Sequence, residues 1–226
     1  MAQRNFRTRL ARRASKAGLF LSEDLVERLA TYYELLARWN RKINLTALDD
    51  PDAAIDRLLL EPVMAIRHFP PHPVRLMDIG SGGGSPAIPM TLAVQGTSLT
   101  MVEVKARKSA FLREAIRTLE LRNSSVETTR YEELLTRPEL HEAFDLLSLR
   151  AVRVEARTFA TLQAFIRPGG WMFLFGGPTG SQQDGSMVPP MSFKKTVPLV
   201  ESLQSQLTIL RKASGLDRDV PRGTML

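Results

Sequence analysis

The stretch RLMDIGSGGGSPAIP, residues 75–89, constrains this chain more than any other. A short apolar run meets an acid, Asp78. Four of the next six residues are glycine, and prolines follow. An apolar run that ends in a glycine turn ahead of helix-forming sequence reads as strand, loop and helix. Such a unit belongs at the carboxyl edge of a parallel sheet, where ligands bind. Glycines at that position let backbone N–H groups approach a ligand and admit positive φ.

The sequence around it repeats this alternation. VRLMDI (74–79), SLTMVEV (98–104), SVETTR (125–130), FDLLSL (144–149), WMFLF (171–175) and QLTILRK (206–212) read as strands. Between them PAIPMTLAV, ARKSAFLREAIRTLEL and RVEARTFATLQAFI read as helices, the second with Phe111, Leu112, Ala115, Ile116 and Leu119 on one face. RPGG before Trp171 reads as a helix stop and turn. Strands alternating with helices imply right-handed crossovers. The expected fold is α/β: a mostly parallel twisted sheet flanked by helices, Rossmann-like, with a small helical extension at the N-terminus. That extension holds a helix capped by Ser22 and running to about Trp39. A second helical region begins at Asp50-Pro51 and is interrupted at Pro62.

The expected boundaries are a basic N-terminal arm over 1–20, the helical extension over 21–72, a ligand-binding domain over 73–212 and a polar tail over 213–226. With 226 residues there is enough chain for one full core. The absence of cysteine excludes disulfides and cysteine-ligated zinc. No apolar run reaches membrane-spanning length, and the first residues lack the apolar stretch of a secretory signal, so a cytoplasmic protein is expected. The net charge is +7, and six of those charges fall in residues 1–20, which hold no acid. Two readings stand side by side: an arm for a phosphate-rich partner, or a solvated tail. The composition of 176–191 reads as a long loop.

The glycine loop fits a dinucleotide fingerprint poorly. Gly80 and Gly82 match G-x-G-x-x-G, but its third glycine is Ser85. D-x-G-x-G-x-G, with Asp78, Gly80, Gly82 and Gly84, fits better. An acid ahead of the loop repels a pyrophosphate and suits a ligand with a cationic end. S-adenosylmethionine (SAM) is such a ligand, with its sulfonium and ammonium. Glu103, 19 residues beyond Gly84, stands where an acid accepts from ribose hydroxyls, which serves NAD and SAM alike. A nicotinamide-dependent oxidoreductase is therefore the less favoured reading. The bland alternatives are a turn role for Asp78 and an ion pair between Glu103 and Arg107. Likewise Trp39 reads sooner as a core aromatic than as a base platform, and Lys105, Arg107 and Lys108 as either a solvated helix start or a phosphate contact.

In order, YYELLARWNRKINLTALDDP, MDIGSGGGSPAIP, EVKARKSAFLREAIRTLEL, TRYEEL and FDLLSLRAV resemble the RsmG (GidB) family of bacterial 16S rRNA guanine-N7 methyltransferases, over roughly residues 30–175. The resemblance implies a SAM-dependent enzyme that acts as a monomer on 16S rRNA or a small-subunit assembly intermediate. It implies that Gly80, Gly82, Gly84 and Ser85 cradle the methionine part of SAM, beside Asp78. Glu103 would hold the ribose, and Tyr131 and Glu132 would lie beside the adenine. Arg130 and Arg150 would face the cofactor and the incoming guanine, Arg150 orienting the base. Asn40, Lys42, Asn44 and Arg57 would line the RNA side. No metal is implied. The chain departs from the family pattern at Leu58 (His expected), Glu61-Pro62 (Asp-Ser expected) and Phe175 (Lys expected). These departures are expected on the RNA-facing side. They keep two rivals open: a SAM enzyme with another acceptor, and a non-catalytic RNA-binding protein that kept the fold.

Overall fold

The computed structural model describes residues 2–46, 50–70, 74–150, 156–176 and 189–214. Seven strands form one sheet: β1 (Arg75–Ile79), β2 (Ser98–Val102), β3 (Ser124–Glu127), β4 (Phe144–Arg150), β5 (Ile166–Gly176), β6 (Met191–Pro198) and β7 (Gln206–Lys212). Their order is β3-β2-β1-β4-β5-β7-β6. The first five are mutually parallel, and β7 runs antiparallel to both β5 and β6. The strand order reverses at β1, between β2 and β4, so a crevice opens at the carboxyl ends of these strands.

The two faces of the sheet bury separate cores. On one face Leu76, Met101, Leu146 and Phe173 pack beneath the N-terminal helices, α5 (Ala87–Ala93) and α6 (Ala106–Thr118). On the other, Met77, Leu147 and Met172 pack against Phe159 and Leu162 of α7 (Ala156–Leu162). Burial on both faces explains why β1 and β4 read as nearly continuous apolar runs.

Three features differ from the sequence expectations. β6 has no counterpart among the expected strands: it is an edge strand whose SFKKTV segment is mostly exposed, so it lacks a buried alternation to read. RPGG lies inside β5 rather than ahead of it, and the extra length is absorbed by a register shift opposite Phe144–Leu146. The loop expected over 176–191 lies outside the described residues from 177 to 188, as does the tail from 215 onward.

The third difference is the basic segment. Ala2–Lys16 is a helix, α1, laid on α2 (Glu23–Asn40). Leu10 and Ala14 are buried beneath it, and Phe6 stacks on Tyr33 at 4.5 Å. Arg7 pairs with Glu27, Arg9 with Asp52, and Arg13 with both Asp52 and Asp56. The segment is therefore neither a solvated tail nor a free arm, because half of its cations are bound to acids of the same chain. Asp56 is buried and accepts from Arg13 Nε at 2.6 Å and from Ser202 Oγ at 2.7 Å, which ties α1 to the turn between β6 and β7. Replacing Arg13 by alanine strands that carboxylate. The expected loss is about 3 kcal/mol, the low end for breaking a buried pair, read as a lowered urea midpoint.

α2 begins where expected: Ser22 Oγ accepts from Leu25 N at 3.2 Å. Asp50 likewise caps α3 (Pro51–Ile55). The chain then continues through a wide i→i+5 turn, Asp56–Leu60, into α4 (Glu61–Ala65). Pro62 is the physical cause. It has no N–H for the carbonyl of Leu58, and its ring crowds that carbonyl. The turn widens, and Ser85 Oγ donates to the Leu58 carbonyl instead, at 2.9 Å. Pro62 thus deforms the helical region without ending it.

Candidate active site

Parallel pairing delivers the ends of β1, β2 and β4 to one edge, and the acids and the arginine singled out in the sequence arrive there together. Asp78, near the end of β1, is 1 % exposed. Its Oδ1 accepts from Ser148 Oγ on the neighbouring strand at 2.5 Å. Burial pushes its carboxyl up from 3.8 to about 6, against the opposing pull of the Ser148 and Ser81 hydrogen bonds and the positive charge of Arg150.

Glu103 is also buried, one residue past β2. Its Oε2 accepts from Gly82 N at 2.9 Å and its Oε1 from Lys105 N at 2.8 Å. The second acid therefore holds the glycine loop from behind, and each oxygen keeps lone-pair capacity for a ligand hydroxyl. The ion pair with Arg107 considered from sequence is not among its contacts.

Two glycines of the loop do different work. Gly82 has φ +53°, and a Cβ there would meet nothing closer than Gly80 O at 3.7 Å and Lys108 Nζ at 3.9 Å. Packing does not demand a glycine at 82; the left-handed φ favours one, and the face it leaves is open to close approach. Gly84 has φ +84°, and its Cβ would stand 2.5 Å from Ile88 Cδ1 and 3.3 Å from Leu112 Cδ2. Here glycine allows α5 and α6 to close on the loop. The other loop residue expected to touch the ligand, Ser85, has its hydroxyl committed to Leu58.

Arg150 ends β4 on the same side as Ser148, two residues earlier. Its Nη1 donates to Glu61 Oε2 at 2.5 Å, and its guanidinium lies over the Phe175 ring at 4.8 Å. Nε and Nη2 are buried without a hydrogen-bond partner among the described residues. Glu61 and Phe175 are two of the three departures expected on the RNA side. Both converge on Arg150 at the crevice.

These residues fit a ligand with a cationic end and a backbone-contacting body. They comprise buried carboxylates, an open-faced glycine and an arginine with two donors unpaired among the described residues. Among the described residues no cluster of histidine and acids could hold a metal ion, and no described helix is long and apolar enough to cross a membrane.

Residues 25–209 match the family model for rRNA small subunit methyltransferase G (GidB). The chain belongs to that family. It is 33% identical over 179 residues to a ribosomal RNA small subunit methyltransferase G of Roseiflexus castenholzii, covering 79% of this chain and 75% of the relative. It is 32% identical over 201 residues to that of Burkholderia pseudomallei, covering 85% and 86%. A SAM-dependent methyltransferase from Aquifex aeolicus shares the fold, with a TM-score of 0.55 and 11% identity over 78% of this chain and 97% of that one.

The residues that the GidB resemblance places toward RNA scatter in role. Asn40 closes α2, and its Oδ1 accepts from Leu45 N at 2.8 Å and Thr46 N at 3.0 Å, so it shapes the following loop. Lys42, Asn44, Arg57 and Arg130 are exposed. Trp39 donates Nε1 to Glu114 at 3.1 Å and packs edge-on to Phe111, which bears out its reading as a core aromatic. Tyr131 is half-buried beside the second core, and Glu132 is exposed at the start of a single 3-10 turn.

Sequence reading missed four contributors. Tyr32 is fully buried and donates its hydroxyl to the Gly83 carbonyl at 2.5 Å, pinning the loop from α2; burial pushes that phenol well above its ordinary range. Ser148, Glu61 and Phe175 are the others. Ser148 left a signal, two residues before Arg150 on one strand face, and Glu61 and Phe175 stood out only as departures from the family pattern. Tyr32→Phe leaves the Gly83 carbonyl without its donor. The expected cost is about 1–2 kcal/mol in thermal unfolding, together with weaker ligand binding from a looser loop.

Proposed function

We propose that this chain is a SAM-dependent methyltransferase that transfers a methyl group to N7 of a guanine in 16S rRNA. The observation that carries the reading is the open face of Gly82 between two buried carboxylates, Asp78 and Glu103. It suits a cationic adenosine cofactor and disfavours a diphosphate, in a chain whose family is named for methylating small-subunit rRNA. Gly80 and Gly82 carry the backbone against the methionine part, with Asp78 toward its ammonium. Glu103 takes the ribose hydroxyls, and Tyr131 with the backbone at Glu132 borders the adenine. Gly84 and Ser85 support the loop from behind.

SAM supplies an activated methyl group on a sulfonium. Guanine N7 has a lone pair and no proton, so the acceptor needs no general base. Consistently, no step calls on His68 or His141, the histidines among the described residues; the His141 ring meets the Leu135 carbonyl. What remains for the protein is alignment and a suitable field. Arg150, held by Glu61 and Phe175, offers Nε and Nη2 to acceptor atoms on the ligand side and orients the guanine. Lys42, Asn44, Arg57 and Arg130, all exposed, supply contacts for folded RNA or an assembly intermediate. A cytoplasmic monomer is the state in which it would meet that substrate.

Mass spectrometry of 16S rRNA from cells with and without the protein tests the reading. One N7-methylguanosine should disappear on deletion and return with the wild-type gene but not with Gly82→Val. An unchanged methylation pattern overturns it.

A further inference from the structure

We propose that Glu61 is a charge-balancing positioning residue: by neutralising Arg150 it lets a guanidinium stand in the crevice without repelling a sulfonium methyl donor. The inference deepens the SAM reading above and rests on it.

Three observations carry it. The Glu61 and Arg150 side chains are only 3% and 16% exposed, so their charges are poorly screened. The second partner of the arginine is the face of Phe175, which holds the guanidinium plane through its quadrupole and adds no charge. The two remaining donors, Nε and Nη2, are buried with no partner among the described residues, which leaves that edge for further acceptor atoms.

The local backbone explains how Glu61 gets there. The wide turn over Asp56–Leu60 inserts one residue into the helix, with Glu61 N–H bonded to Asp56 O. One added residue rotates everything after it by about 100° about the helix axis. The carboxylate that Pro62 displaces is the one that meets Arg150.

At neutral pH the donor carries a sulfonium, an ammonium and a carboxylate, for a net charge of +1. Its product, S-adenosylhomocysteine, has a thioether in place of the sulfonium and is net neutral. An unpaired Arg150 in a dry crevice would penalise the donor and largely spare the product. Glu61 thus sets the relative affinity for the two.

Titration calorimetry of the full chain with each compound tests this, with melting curves to establish folding. In Glu61→Gln the affinity for the donor should fall about tenfold more than that for the product. Glu61→Asp, which keeps the charge, should recover most of that ratio. Arg150→Met, which leaves Glu61 uncompensated, should move the ratio the opposite way, in favour of the donor. The Arg150→Met variant keeps the test decisive where Glu61→Gln fails to fold. Equal losses for both compounds in Glu61→Gln, or a ratio that Arg150→Met leaves unchanged, overturn the inference alone. Wild-type protein that binds neither compound overturns the reading of the crevice and the inference with it.

Discussion

Asp78→Asn is expected to make the ligand-free protein more stable while removing its grip on SAM. The carboxyl is raised from 3.8 to about 6 by burial, so the folded state prefers it protonated. A raised carboxyl contributes stability that is fully present below pH 3.8 and lost as pH climbs through 6. At pH 7.5 the wild type has lost it all, a deficit of about 3 kcal/mol at 1.4 kcal/mol for each tenfold. Asparagine never ionises, and its carbonyl oxygen still accepts from Ser148 Oγ. The variant should therefore unfold at higher urea than wild type at pH 7.5, and at nearly the same urea at pH 4. Binding runs the other way, because a cationic ligand needs the carboxylate. Wild-type affinity for SAM should fall as pH drops below 6, whereas the variant should be weak and flat with pH. Wild-type affinity in Asp78→Asn would place the carboxylate away from the ligand.

Gly82→Val and Gly84→Ala, two positions apart in one loop, should fail in opposite ways. At Gly82 there is room for a side chain, and the cost to folding is the left-handed φ of +53°, roughly 1–2 kcal/mol. The valine methyls then occupy the space that the ligand needs. The protein should melt cooperatively and bind SAM at least a hundredfold more weakly, as any ligand that touches backbone loses contact over the whole loop. At Gly84 the added methyl would stand 2.5 Å from Ile88 Cδ1, at a φ of +84°, with Leu112 closing the escape. That variant should lose stability first, by about 2 kcal/mol, and binding only as a consequence. Normal binding in Gly82→Val would remove the loop from the site. The contrast is informative because both glycines look alike in the motif, yet a Cβ at 82 meets open space and one at 84 meets α5 and α6.

The meeting of the glycine loop and its acids was legible before any coordinates, and the reason is local. A strand, a glycine turn and an acid at fixed spacing are one covalent segment, so Asp78 and Gly82 cannot help lying near each other. Glu103 follows from one crossover, since β2 pairs beside β1 in register. Arg150 follows from its place at the end of an apolar strand. The basic segment shows the limit of such reading. Composition marked its charge, but whether six cations meet phosphates or acids depends on Glu27, Asp52 and Asp56, which nothing local brings to them.

By itself, then, the sequence determined the alternation of strands and helices, the sheet's ligand edge and the acids that flank the glycine loop. All of these arise from periodicity and short-range connectivity. The tertiary structure alone decided which surplus groups complete the site. Glu61, Arg150 and Phe175 lie 89 and 25 residues apart along the chain, and nothing in their own segments says that they meet. Their meeting depends on a widened helical turn packing over the end of a strand. A buried ion pair is specified by the desolvation of both partners at once, and no single segment encodes that.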